Sequence, residues 1–72
     1  MVPLCYMQNK KRCRVRRARG RSRERMEALG FVPGEELDVI SSCDGNVIVL
    51  LRDARYALDK EQAKDIYVEE AV

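Results

Sequence analysis

The chain has 72 residues, 46% of them hydrophobic and 36% charged, with a net charge of +2. A domain of this size buries only about 60% of the surface its unfolded chain exposes, which excludes a second domain and any large enzyme fold built around a deep substrate cavity. Histidine is absent, so the commonest general base and metal ligand is missing and catalysis is a poor expectation.

Residues 1–9 carry Pro3, Asn9 and no periodicity. They are expected to form an N-terminal arm, frayed or laid along the first strand, ahead of a domain spanning 10–72. From Lys11 to Ala18, Cys13 and Val15 alternate with Arg12, Arg14 and Arg16, the period of a strand with its arginines facing water. Arg17 breaks the alternation, and Gly20 marks a chain reversal.

Ser22 is expected to cap a short helix through its hydroxyl, with Glu24 at the positive end of the helix dipole. Met26 and Leu29 fall three apart on one face. Gly30 stands where a left-handed residue ends the helix, and Phe31 is placed to touch Met26. Val32-Pro33-Gly34-Glu35 has the residues of a type II turn.

Leu37 and Val39 then begin a strand that closes at Ser41-Ser42-Cys43, and Asp44-Gly45 signals a tight hairpin. The return strand, Val47 to Arg52, is apolar on both faces, so Ile48 and Leu50 call for a cover. Asp53-Ala54 is expected to turn the chain into a fourth strand, Arg55 to Leu58. Asp59 and Gln62 form a variant capping box that starts one helical turn with Ala63 inward, and Ile66-Tyr67-Val68 makes the last strand. Five short strands with one α-helix and one helical turn can bury a common face by curling into a small barrel. The expected fold is mainly β, a five-stranded SH3-like barrel, with an OB-like barrel as the second choice.

Residues 1–26 hold ten Lys/Arg against one Glu, and residues 27–72 hold four against eleven Asp/Glu, so the halves stand near +9 and −7. The run Lys10 to Arg21 leaves three readings open: a strip facing phosphates, a patch docking on an acidic partner, and a solvated face balancing the acidic half. No aromatic lies within the run to stack on bases, so nucleic acid ranks behind the other two. Cys5, Cys13 and Cys43 form an odd set without C-x-x-C spacing, which favours idle thiols in a reducing, cytoplasmic compartment. Cys5, Met7 and Cys13 are too few for a soft-metal site, and Glu35, Glu36, Asp38 and Asp44 read as solubilising turn carboxylates. A cysteine nucleophile would lack a histidine base. No catalytic, cofactor or metal residue is nominated. The opening has neither a basic nor an apolar signal region, and the longest apolar run, Val47 to Leu51, has five residues, too short for a membrane span.

The stretch Arg25-Met26-Glu27-Ala28-Leu29-Gly30-Phe31-Val32-Pro33-Gly34-Glu35-Glu36-Leu37-Asp38-Val39 resembles the FeoA family, whose members carry a helix ending in Leu-x-x-x-Pro-Gly before an acidic-apolar strand. The likeness continues through Val47-Ile48-Val49 and the close Ala63-x-x-Ile66-x-Val68. It differs in lacking the common Pro-Leu-x-x-Leu-x-x-Gly entry, in its arginine-rich first strand, and in Asp53-Ala54 where a glycine often closes the hairpin. The resemblance implies an SH3-like barrel whose frame uses Met26, Leu29, Gly30, Phe31, Pro33, Gly34, Ala63 and Ile66. It also implies a cytoplasmic accessory of bacterial ferrous-iron uptake that engages the cytoplasmic, GTPase-bearing part of the FeoB transporter and meets the membrane through that partner. Related barrels form the C-terminal domain of DtxR-like repressors. No helix-turn-helix precedes the barrel here, so a free-standing module is expected. Arg12, Arg14, Arg16, Arg23 and Arg25 are expected to form the partner-binding patch. The alternatives are a small basic barrel that binds single-stranded nucleic acid and weak direct binding of Fe²⁺ or another divalent metal.

Overall fold

The computed structural model describes residues 1–71. Six strands, β1 (Val2–Pro3), β2 (Lys11–Ala18), β3 (Glu36–Cys43), β4 (Asn46–Leu51), β5 (Ala54–Leu58) and β6 (Ile66–Glu70), form one antiparallel sheet in the order β1-β6-β2-β3-β4-β5. A helix, α1 (Arg23–Leu29), follows β2, and a single turn, α2 (Lys60–Ala63), precedes β6. The extents of 26 × 24 × 23 Å are nearly equal in three directions, so the sheet is curled and not flat. It matches the SH3-like barrel expected, with one strand more.

The extra strand is β1, too short to show an alternation. Residues 1–9 are neither frayed nor laid along β2: Val2 and Pro3 pair with Val68 and Tyr67 of β6. A 3₁₀ turn over Leu4–Tyr6 follows, and its Leu4 is fully buried. That turn packs against β4, β6 and α2, filling the gap between the two sheet edges, β1 and β5. Leu4 thus supplies core that the strands alone leave open.

Alternation sets the inward face. Cys13 and Val15 of β2, Leu37 and Val39 of β3, Val47, Val49 and Leu51 of β4, and Ile66 and Val68 of β6 are all buried around Phe31. Two bulges curl the sheet, one between Val15 and Arg17 and one between Val39 and Ser41. The first explains why Arg17 breaks the period of β2. With Arg16 as the extra residue, two consecutive arginines face outward before Ala18 returns to the core.

Gly30 at φ 115° closes α1 in the arrangement expected: Phe31 N–H donates to Met26 O at 3.0 Å and Gly30 N–H to Glu27 O at 3.0 Å. This drives Phe31 into the core, where it meets Tyr56 edge-on with centroids 5.6 Å apart, while Met26 is buried and Leu29 packs at its margin. The other end differs from expectation. The Ser22 hydroxyl accepts no capping hydrogen bond, although its carbonyl accepts the first helical one from Met26 N–H at 2.9 Å. With φ −92° and ψ 9° its backbone is already turning, so the hydroxyl is not aimed at the first free N–H groups.

Pro33 and Gly34 make the expected turn, with Gly34 at φ 92° and Glu35 N–H donating to Val32 O at 3.1 Å. Asp59 accepts from Gln62 N–H at 2.9 Å and Gln62 Oε1 from Asp59 N–H at 3.2 Å, the capping box expected, with Ala63 buried. The β4–β5 turn lies one residue earlier than expected. Arg52 at φ 51° and Asp53 at φ 66° are its two left-handed residues, and Leu51 pairs with Ala54. The second face of β4 also departs from expectation. Ile48 is 39% exposed and Leu50 half-buried, because α1 and the N-terminal turn leave this side of the sheet open.

Candidate docking surface

The outer face of β2 lies between two acidic strands. Antiparallel registry sets Arg12 opposite Asp38 and Arg14 opposite Glu36 on β3, and Arg14 opposite Glu69 on β6. Arg12 Nε donates to Glu36 Oε1 and its Nη1 to Asp38 Oδ1, both at 2.9 Å, and Arg14 Nη2 donates to Glu36 Oε2 at 2.9 Å. Arg14 Nη1 stands 3.6 Å from Glu69 Oε1, and Arg16 Nη1 donates to the same oxygen at 3.4 Å. The result is a continuous chain, Asp38–Arg12–Glu36–Arg14–Glu69–Arg16, in which three cations and three carboxylates cancel. Hydrogen bonds from Arg12 and then Arg14 hold Glu36 below the usual carboxylate range, and those to Glu36 and Asp38 raise Arg12. Lys11 extends the chain to Glu70 at 3.4 Å.

The expected patch therefore divides. Arg12, Arg14 and Arg16 share the outer face of β2, each with an internal carboxylate; Arg23 on α1 pairs with Glu27 one turn away at 3.1 Å. Arg25 is exposed and forms no ion pair among the described residues. Of the remaining cations, Arg52 pairs with Glu35 across two turns and Lys64 with Glu61, whereas Lys10, Arg17, Arg19, Arg21, Arg55 and Lys60 have no ion-pair partner among the described residues. Arg17, Arg19 and Arg21 belong to the same arginine-rich run. Only pairing partners distinguish them from Arg12–Arg16, and partners follow from strand order.

Among the described residues no group of three or more Cys, Asp or Glu stands close enough to hold a metal ion. Cys13 is buried, and its thiol is pushed up to about 11 by desolvation, with Glu70 and Asp38 adding to the effect. Cys5 is buried and Cys43 exposed. A shallow groove with Ile48, Ala57 and Cys43 on its walls crosses the open side of β4 and β5. No helix among the described residues is long and apolar enough to cross a membrane.

Comparison with known proteins decides the kinship, since the FeoA domain matches residues 2–70. The chain belongs to the FeoA family. A crystal structure of an iron uptake regulatory protein, FeoA, is 26% identical and covers 97% of this chain and 96% of its own, at a TM-score of 0.85. A FeoA-like protein from Clostridium acetobutylicum is 25% identical, covering 99% of this chain and 87% of its own at the same TM-score. A FeoA from Stenotrophomonas maltophilia, solved with zinc and described as a prokaryotic SH3 domain protein, shares the fold at 23% identity and a TM-score of 0.85, covering 96% of this chain and 91% of its own. A search of the curated proteins finds no match.

The FeoA match starts ahead of the first long strand, and the geometry there amends one expected difference. The family's Pro-Leu-x-x-Leu-x-x-Gly entry is present with two substitutions. Pro3-Leu4 begins it, Met7 packs against the core in the place of the second Leu, and Lys10 adopts φ 63° in the place of the Gly.

Proposed function

We propose that this FeoA chain is a cytoplasmic accessory of ferrous-iron uptake that docks on the cytoplasmic, GTPase-bearing part of the FeoB transporter and alters its nucleotide cycle or assembly. It acts by contact, making and breaking no covalent bond. The observation that carries this reading is the family match over nearly the whole chain, residues 2–70. The surface agrees with it. Its distinctive groups are arginines on a rigid barrel, a form suited to recognising another macromolecule by charge and shape. The outward arginines of β2 and α1, Arg12, Arg14, Arg16, Arg23 and Arg25, border the docking face, and all but Arg25 would exchange an internal carboxylate for one on the partner.

The test is co-purification of the folded chain with the cytoplasmic portion of FeoB at low and moderate salt. A complex at low salt that weakens as salt rises is expected, because screening shortens the reach of surface charges. Absence of a complex at both salts overturns the reading.

A further inference from the structure

Four arginines without an ion-pair partner among the described residues fall within the nine residues 17–25, and local structure gathers three of them along the start of β6. The β2 bulge turns Arg17 outward, where its guanidinium lies over the Tyr67 ring, 5.8 Å from the centroid. Arg19 N–H then donates to Asp65 O at 2.9 Å. The carboxylate of Asp65 sits so close to Gly20 that a Cβ there would come within 2.3 Å of Oδ2, so the chain hugs this corner. Arg21 borders the same shallow polar depression as Lys64 and Asp65, and Arg25 lies in the first turn of α1, four residues further along the chain.

From this partition of paired and unpaired charge we infer that the docking surface is centred on Arg17, Arg19, Arg21 and Arg25, and that its partner is a carboxylate-bearing protein surface. The inference deepens the function proposed above and rests on it. An arginine of the β2 chain must give up an internal carboxylate to take one from outside, which leaves little net gain. An unpaired guanidinium gives up only water, and its planar fork fits a carboxylate with two parallel hydrogen bonds.

The setting favours protein over a phosphate polymer or a lipid surface. Glu61 and Asp65 line the depression beside Arg21 and Glu24 adjoins Arg25 in the chain, so a uniformly negative surface meets repulsion where a protein of mixed sign can match both charges. Tyr67, half-buried beneath Arg17, offers no open face for stacking a base.

The experiment compares three folded proteins, each checked by circular dichroism, for binding to the cytoplasmic portion of FeoB. They are the native chain, R17Q/R19Q/R21Q, and a control, K10Q/R55Q/K60Q, that removes the same charge elsewhere. R19Q/R21Q/R25Q replaces the first triple variant if losing the Arg17–Tyr67 contact unfolds it. The strip variant is expected to bind about tenfold more weakly, or worse, and the control within about threefold of native. On the isotopically labelled native chain, amide shifts induced by the partner are expected to cluster at residues 17–25.

Native binding with equal losses in both variants, or with shifts confined to residues 11–16, overturns the surface and leaves the proposed function standing. No native binding overturns both. Tighter binding to phosphatidylglycerol vesicles or to a single-stranded oligonucleotide than to the transporter portion overturns the choice of partner.

Discussion

Replacing Leu4 with alanine tests whether the N-terminal residues belong to the barrel. Leu4 is 0% exposed, and its 3₁₀ turn is the wedge between the two sheet edges, touching β4, β6 and α2. Removing a fully buried Leu side chain costs about 2–5 kcal/mol, the upper part applying where neighbours cannot collapse into the space. Sheet strands on two sides and a capped helical turn on the third hold this cavity open. Since a domain of this size has only about 3–5 kcal/mol of net stability, L4A is expected to lose most of it. In urea unfolding followed by circular dichroism, with a slope near 1 kcal/mol per molar, the midpoint falls by about 2 M or more. Val2→Ala is the control: Val2 is 41% exposed, and its loss should stay near 0.5 kcal/mol. An L4A midpoint within about 0.5 M of native would refute the wedge and return these residues to a loose arm.

Other consequences follow from particular side chains. A maleimide at neutral pH should label Cys43 alone in the native protein and all three thiols after denaturation, because Cys5 and Cys13 are buried and Cys13 is held protonated. Since the fold raises Cys13 from 9.0 to about 11, its contribution is complete below pH 9 and is lost as pH rises toward 11; alkaline unfolding of Cys13→Ala should lack that component. Glu36 works in the opposite sense. Its folded-state value is lowered by Arg12 and Arg14, so its contribution is present above the ordinary carboxylate range and is lost as pH falls through the lowered value. E36Q should flatten the acid limb of the stability–pH curve, and an unchanged limb counts against the charge chain. Asp53→Gly should raise the thermal midpoint by about 2–4 °C, because glycine takes the left-handed second position of the β4–β5 turn without the Cβ clash that Asp53 bears at φ 66°. No rise would mean the flanking strands already set that geometry.

What was legible in the sequence was local. The bounds of β2 followed from the alternation of Cys13 and Val15 with arginines, the end of α1 from Gly30, and the start of α2 from Asp59 and Gln62, since each signal lies within a few residues. Non-local pairing was not legible. That β6 lies beside β2, giving Arg14 and Arg16 the carboxylate of Glu69, joins residues 53 to 55 positions apart. Without it, an arginine-rich strand reads as a basic patch. The bulge at Arg16 reads only as a broken period, although it places Arg17 over Tyr67. Leu4 carries no sequence signal because a two-residue strand and a 3₁₀ turn have no periodicity, and Lys10 and Arg52 hide left-handed backbone behind residue types that rarely adopt it.

Ferrous-iron uptake in bacterial cells deleted for this chain, then supplied with the native protein or with R17Q/R19Q/R21Q at equal abundance, tests most directly whether it serves transport by docking. The deletion should change the uptake rate severalfold, the native chain should restore it, and the folded variant should not. Uptake unaffected by the deletion, or restored equally by the variant and the native chain, contradicts the account.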